Sequence, residues 1–166
     1  MAPLSAVGRL APGRSVKIEL DDLSRPEVHA LLREHLENMY ELTPAESVHA
    51  LDLEALRAPE VSFWTAWDGA VLLGCGALKE LSPVHGEIKS MRTPSHLRRR
   101  GAGRAILTHL IEEARRRGYE RLSLETGPRD SFAAAHALYE AFGFEYCGPF
   151  AQYREDPFSA FMTRAL

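Results

Sequence analysis

The sequence predicts an α/β (α+β) fold, a single domain around one central sheet. Three observations predict it. Short alternating or apolar β-forming runs are interleaved with segments of helical periodicity along the whole chain. The 166 residues suit one domain with a core of its own. No internal repeat, low-complexity tract or interdomain linker divides them.

Residues 1–14, rich in Gly, Pro and Ala, read as a loose, flexible tail ahead of a domain over 15–166. In SVKIELDDL, Val16, Ile18 and Leu20 alternate with polar neighbours, the pattern of a half-buried strand. SRPEVHALLREHLENMY follows as a helix. Ser24 is its expected N-cap, Pro26 sits in the first turn, and Val28, Leu31, Leu32, Leu36 and Met39 form one face. TPAESVHALDLEALRAPE reads as a second, shorter helix ending near Pro59. VSFWTAWDGAVLLGCGALKEL is a β-hairpin turning at Asp68-Gly69. GEIKSMRT is the next strand, stopped by Pro94. GAGRAILTHLIEEARRRGY is a helix with Ile106, Leu107, Leu110, Ile111 and Ala114 on one face and Gly118 at its end. RLSLETG is a short strand, and DSFAAAHALYEAFGF an alanine-rich helix with Gly143 as its C-cap. EYCGPF and SAFMTRAL complete the sheet, giving the order β-α-α-β-β-β-α-β-α-β-β.

Composition narrows the function. Hydrophobic residues make up 45% and charged residues 26%, which is ordinary for a globular chain. A net charge of -3 supplies no global field toward nucleic acid or an anionic membrane, so neither is an expected partner. Cys75 and Cys147 lie far apart and read as reduced thiols, which fits a cytoplasmic location. The N-terminal residues lack the apolar run of a signal peptide, and the scattered histidines have no ligand spacing, so no metal is expected.

Against that acidic background HLRRRGAGRAIL, His96 to Leu107, is a local basic cluster at a strand-to-helix junction. A helix start carries unpartnered N–H groups and a partial positive charge, which together favour an anion. Gly101 and Gly103, with small Ala102 between them, allow close backbone approach, and Arg98, Arg99, Arg100 and Arg104 add charged donors. Taken alone, the cluster also fits a solvated basic turn. It is neither a P-loop, since Gly-Arg-Ala stands at 103–105, nor a dinucleotide loop, since only two glycines are present.

The spacing Arg-x-x-Gly-x-Gly, Arg98 to Gly103, resembles the pyrophosphate loop of the GCN5-related N-acetyltransferase (GNAT) superfamily. ALYEAFGF, Ala137 to Phe144, is similar to its second signature, and GEIKSMRT stands where its fourth strand falls. The resemblance runs from Ser15 to the end of the chain. It implies a mixed, mostly antiparallel sheet flanked by helices, and acetyl-CoA as co-substrate for transfer to an amine by direct attack. In the family, coenzyme contacts fall on the backbone positions matched by Met91, Arg92 and Thr93 and on the loop from Arg98 to Arg104. Tyr139 matches the tyrosine that protonates the leaving thiolate, its ordinary pKa near 10 lying close to a thiol's. Glu87 matches the acidic residue used as base in histone-type members. Many members carry an asparagine where this chain has Phe132.

The residues leave the acceptor open. Tyr40, Ser47, His49 and Trp64, with Tyr153, Arg154 and Glu155 of YREDPF, are candidates for contacting it. A small-molecule amine such as an amino acid derivative is expected; a protein lysine or N-terminus, and a non-catalytic acyl-CoA binder, are the alternatives. Dimers are common in the family, and the sequence leaves monomer or homodimer open.

Overall fold

The computed structural model describes residues 6–11, 14–49, 52–98 and 101–166. Eight strands form one sheet: β1 (Ala6–Ala11), β2 (Arg14–Leu20), β3 (Val61–Asp68), β4 (Val71–Ser82), β5 (His85–Arg92), β6 (Arg121–Thr126), β7 (Glu145–Cys147) and β8 (Ala160–Ala165). The sheet order is β1-β2-β3-β4-β5-β6-β8-β7. Among the described strands only the central β5–β6 pair is parallel. Four helices flank the sheet: α1 (Pro26–Leu42), α2 (Leu53–Leu56), α3 (Ala102–Arg116) and α4 (Ala133–Ala141). From β2 onward the element order is the expected one, and the sheet is mixed and mostly antiparallel.

Local chemistry explains most boundaries. Pro26 opens α1, Gly69 (φ 59°) turns the β3–β4 hairpin, and Gly118 (φ 82°) and Gly143 (φ 85°) follow the ends of α3 and α4 in the left-handed region. Three readings are corrected. Residues 6–11, placed in a loose tail, pair antiparallel with β2, whose free edge accepts a strand of weak pattern. Arg25, not Ser24, precedes α1, because the Ser24 hydroxyl donates to Asp22 instead, at 2.5 Å. The second helical stretch breaks into a 3₁₀ turn, Ala45–Ser47, and the short α2, capped by Asp52, whose Oδ1 accepts from Ala55 N at 2.8 Å.

Two apolar layers hold the helices. Ile106, Leu107 and Leu110 of α3 pack with Leu78, Leu122 and Leu124 on one face of the sheet. Val28, Leu31 and Leu32 of α1 pack with Phe63, Trp67 and Cys75 on the other. A Cβ at Gly76 would lie 2.7 Å from Ile106, so glycine there lets α3 sit against the backbone of β4. This seating fixes the start of α3 beside the end of β5. No helix of the described residues is long and apolar enough to cross a membrane.

Candidate active site

The sheet forks between β5 and β6. Their parallel ladder runs from His85↔Arg121 to Ile88↔Leu124 and stops there, while β5 continues to Arg92 and β6 to Thr126. Beyond Ile88 the edge of β5 facing β6 has no ladder partner. β5 is also bulged, with one more residue than β4 between Ala77↔Lys89 and Cys75↔Arg92, and Ser90 adopts φ 54°. Met91, Arg92 and Thr93 therefore present backbone to the gap, where the sequence places the coenzyme arm. A cleft of about 1090 Å³ fills the fork and reaches α1 on one side of the sheet and α4 on the other.

The tip of α3 forms one end of this cleft. Gly101 sits at φ 81° immediately before the helix, a conformation that favours glycine. Among the described residues no side chain caps the helix, and the first intrahelical bond is Ala105 N to Gly101 O at 3.1 Å, which leaves the first turn of N–H groups without a partner among those residues, as an anion site requires. Arg98, Gly101, Ala102, Gly103 and Arg104 all line the cleft. The Arg104 guanidinium stacks over Phe142 at 5.2 Å. Gly103 has a second role, because a Cβ there would lie 3.3 Å from Leu138 of α4. Arg99 and Arg100 lie outside the described residues. Phe132, where the resemblance leads one to expect asparagine, lays its ring on Gly127, in space a Cβ would claim. The chain thus offers an aromatic ring at that place in the cleft wall.

Tyr139 lies on α4, buried at 7% exposure, and lines the cleft. Its hydroxyl has no hydrogen-bond partner among the described residues. Burial, then the charge of Glu125, pushes its pKa up, which keeps the phenol a neutral proton carrier. Glu87 also lines the cleft, at 2% exposure, but its carboxylate is engaged. It accepts from Tyr153 Oη at 2.5 Å and pairs with Lys89 Nζ at 3.3 Å, while Lys89 also donates to Tyr153 Oη at 2.8 Å. Burial and the neighbouring Glu87 carboxylate raise the Tyr153 pKa. All three groups line a second cavity of about 580 Å³, and Glu87 and Lys89 line both.

Glu125 is the acidic group the sequence reading missed. It stands on β6 one residue past the last β5–β6 pair and lines the cleft. Burial raises its pKa to about 7; Ser159 and Lys89 oppose the shift, and Glu87 and Asp156 add to it. No pattern in RLSLETG marks this residue, since its environment comes from β5, α4 and the loop before β8. Of the acceptor candidates, Ser47 and His49 line the cleft, and Tyr153 lines the second cavity and bonds to Lys89. Trp64 is core, at 5% exposure, and Tyr40 is exposed at 58%. Arg154 and Glu155 are also exposed. Cys75 and Cys147 are free thiols, and burial pushes Cys75 up to about 12. Among the described residues no three His, Cys, Asp or Glu side chains gather as a metal site.

A sheet forked between β5 and β6, with the start of α3 at one end of the cleft and Tyr139 and Glu125 both lining it, suits a coenzyme A-dependent acyltransferase. The chain belongs to the acetyltransferase (GNAT) family, whose profile matches residues 26–144. It is 58% identical over 149 residues to YsnE of Bacillus subtilis, named an uncharacterised N-acetyltransferase, covering 90% of this chain and 99% of that one. It is 39% identical over 127 residues to the IAA acetyltransferase of Azospirillum brasilense, covering 76% and 82%. A Bacillus subtilis acetyltransferase solved in complex with CoA shares the fold at 19% identity, with a TM-score of 0.64 over 91% of this chain and 99% of that one. The protein is an acetyl-CoA-dependent N-acetyltransferase, and the helix tip, Arg98, Arg104 and the open edge of β5 suit the co-substrate's diphosphate and amide arm.

Proposed function

We propose that the protein acetylates the primary amine of a small molecule, an amino acid or its derivative, with Glu125 as proton acceptor and Tyr139 as proton donor. The observation that carries this reading is the pairing of the two groups in one cleft at the open end of the fork, with Glu125 held at about 7. A carboxyl poised there can take a proton from an ammonium near neutral pH. Glu87 is the weaker choice, because Tyr153 and Lys89 already occupy its oxygen. When bound, the thioester supplies the acetyl group. In this reading open-edge N–H groups of β5 receive its carbonyl oxygen, and Tyr139 returns a proton to the sulfur. Support for a small acceptor is the short bond from Ser47 to Asp156, 2.5 Å, which ties the segment after α1 to the loop before β8 and encloses the cleft on that side. One relative's name, IAA acetyltransferase, also points to a small molecule.

The test follows free thiol with acetyl-CoA and a panel of small amines. Glu125→Gln is expected to lower kcat by about 10²–10⁴-fold. Tyr139→Phe is expected to lower kcat while leaving coenzyme affinity in place. Tight coenzyme binding with no thiol release for any small amine would overturn the small-molecule acceptor.

A further inference from the structure

The wall of the cleft against α1 carries buried polar atoms that have no partner among the described residues. Arg92 projects from the bulged end of β5 with its side chain only 9% exposed. Its Nη1 donates to Asn38 Oδ1 at 2.9 Å and its Nη2 to Glu34 Oε1 at 3.1 Å, but its Nε is buried without a partner. Ser90 Oγ, two residues earlier, and His35 Nδ1, on α1, are also buried and unpartnered. Arg92, Ser90, His35 and Asn38 all line the same cleft. Buried polar atoms without partners are rare, so three on one wall call for a ligand group that completes them.

The character of that group follows from the donors. Arg92 Nε and Ser90 Oγ have hydrogens to give. Asn38 spends its carbonyl oxygen on Arg92, which leaves its NH₂ free to donate. Burial and the Arg92 charge hold the His35 pKa down to about 4, so the ring is neutral and adds no repulsion to Arg92. Glu34 pairs with the Nη2 end of Arg92, and its Oε1 is also shared with Ser95 N at 3.2 Å and with the Ser95 hydroxyl, so the pairing leaves Arg92 Nε open. A planar anion of two oxygens matches that set. Beside it, Met39, Leu42 and Phe158 add an apolar lining, with Leu42 and Phe158 each 39% exposed.

We propose that His35, Asn38, Ser90 and Arg92 form a carboxylate subsite for the acceptor, and that the acceptor is an α-amino acid with an apolar side chain or a close analogue of one. The proposal rests on the reading above, in which the acceptor amine meets Glu125. The amine goes to Glu125, the carboxylate to the Arg92 wall, and the apolar group to Leu42 and Phe158.

The probes are phenylalanine, aspartate and 2-phenylethylamine, the last being phenylalanine without its carboxylate. The full chain is expected to show kcat/KM for phenylalanine at least about tenfold above that for either other amine. Asn38→Asp keeps an oxygen for Arg92 but sets a negative charge in the wall, and is expected to lower the phenylalanine to phenylethylamine ratio by about tenfold or more. Binding of the products gives a readout independent of turnover. With coenzyme A present, calorimetry should find N-acetylphenylalanine bound more tightly than N-acetylphenylethylamine, and Asn38→Asp should erase the difference. Equal use of phenylalanine and phenylethylamine, a ratio unmoved by Asn38→Asp, or no binding of N-acetylphenylalanine would each overturn the subsite. Loss of all turnover in Glu125→Gln with product binding intact leaves both readings standing. Full turnover in Glu125→Gln, with the carboxylate preference kept, overturns the base assignment alone.

Discussion

Lys89 stands across the sheet from Glu125 at the first position where the β5–β6 ladder opens, one step beyond Ile88↔Leu124. Its ammonium is 8% exposed and anchored by Glu87 and Tyr153. Around Glu125, burial raises the pKa, Ser159 and Lys89 lower it, and Glu87 and Asp156 raise it further, while its own charge helps to raise the Tyr139 pKa. A base must lose its proton to work, so kcat/KM is expected to climb as pH rises through about 7. Lys89→Met removes a cation that favours the ionised carboxyl, and should move that limb up by roughly one pH unit, whereas Lys89→Arg should leave it in place. A pH–rate profile checks this; a limb unmoved in Lys89→Met means that the titrating group is elsewhere. The same carboxyl affects stability with a defined sign. Its folded pKa lies above its ordinary value near 4.5, so whatever it contributes below that value is lost as pH rises through about 7. Glu125→Gln is therefore expected to raise the thermal midpoint at pH 8 and leave it unchanged at pH 4. The sequence makes Tyr139 and Glu87 legible because each keeps a fixed distance from a recognisable motif. Glu125 and Lys89 are illegible there, since what distinguishes them is the burial and cross-strand partners that only the assembled fork supplies.

At the scale of elements, the junction from β5 into α3 was the easiest to read, because its chemistry is local. Gly101 is needed for a backbone at φ 81°, and its place beside an apolar helical face is visible in sequence. Gly101→Ala should cost about 1–2 kcal/mol in folding and weaken coenzyme A binding, as calorimetry would show, because the free N–H groups of α3 would tilt away from the diphosphate. Gly76 acts through packing instead. An alanine methyl there meets Ile106 at 2.7 Å, so Gly76→Ala should destabilise by about 1–3 kcal/mol in a urea titration. Elements set by long-range contacts were harder to read. The second helical stretch breaks around Ala45–Ser47 and Leu53–Leu56, and β1 forms on the open edge of β2 without a strong pattern of its own. Ser90 at φ 54° marks a bulge that an alternating sequence conceals.

For the whole molecule, the fork divides the sheet into β1 to β5 and β6 to β8, joined along the strands by the four register pairs between His85↔Arg121 and Ile88↔Leu124. The cleft touches both halves, with β5 and the tip of α3 on one side and β6 and α4 on the other. A ligand lying along it binds only when the halves are correctly set, so it stabilises the folded chain by mass action. Coenzyme A at about 100 times its Kd should add about 2.7 kcal/mol, a rise in Tm of about 5–10 °C for a domain of this size. The far edge of the sheet is independent of this effect, because β2, β3 and β4 stand between β1 and the fork. Removing residues 1–13 takes away one edge strand and should lower the starting Tm, yet leave the coenzyme-dependent rise intact. Thermal scans of both chains across a coenzyme titration check the two halves of the argument. Loss of the rise on removing β1 would mean that the fork depends on the whole sheet, while no rise in either chain would mean that the diphosphate does not bind at the tip of α3.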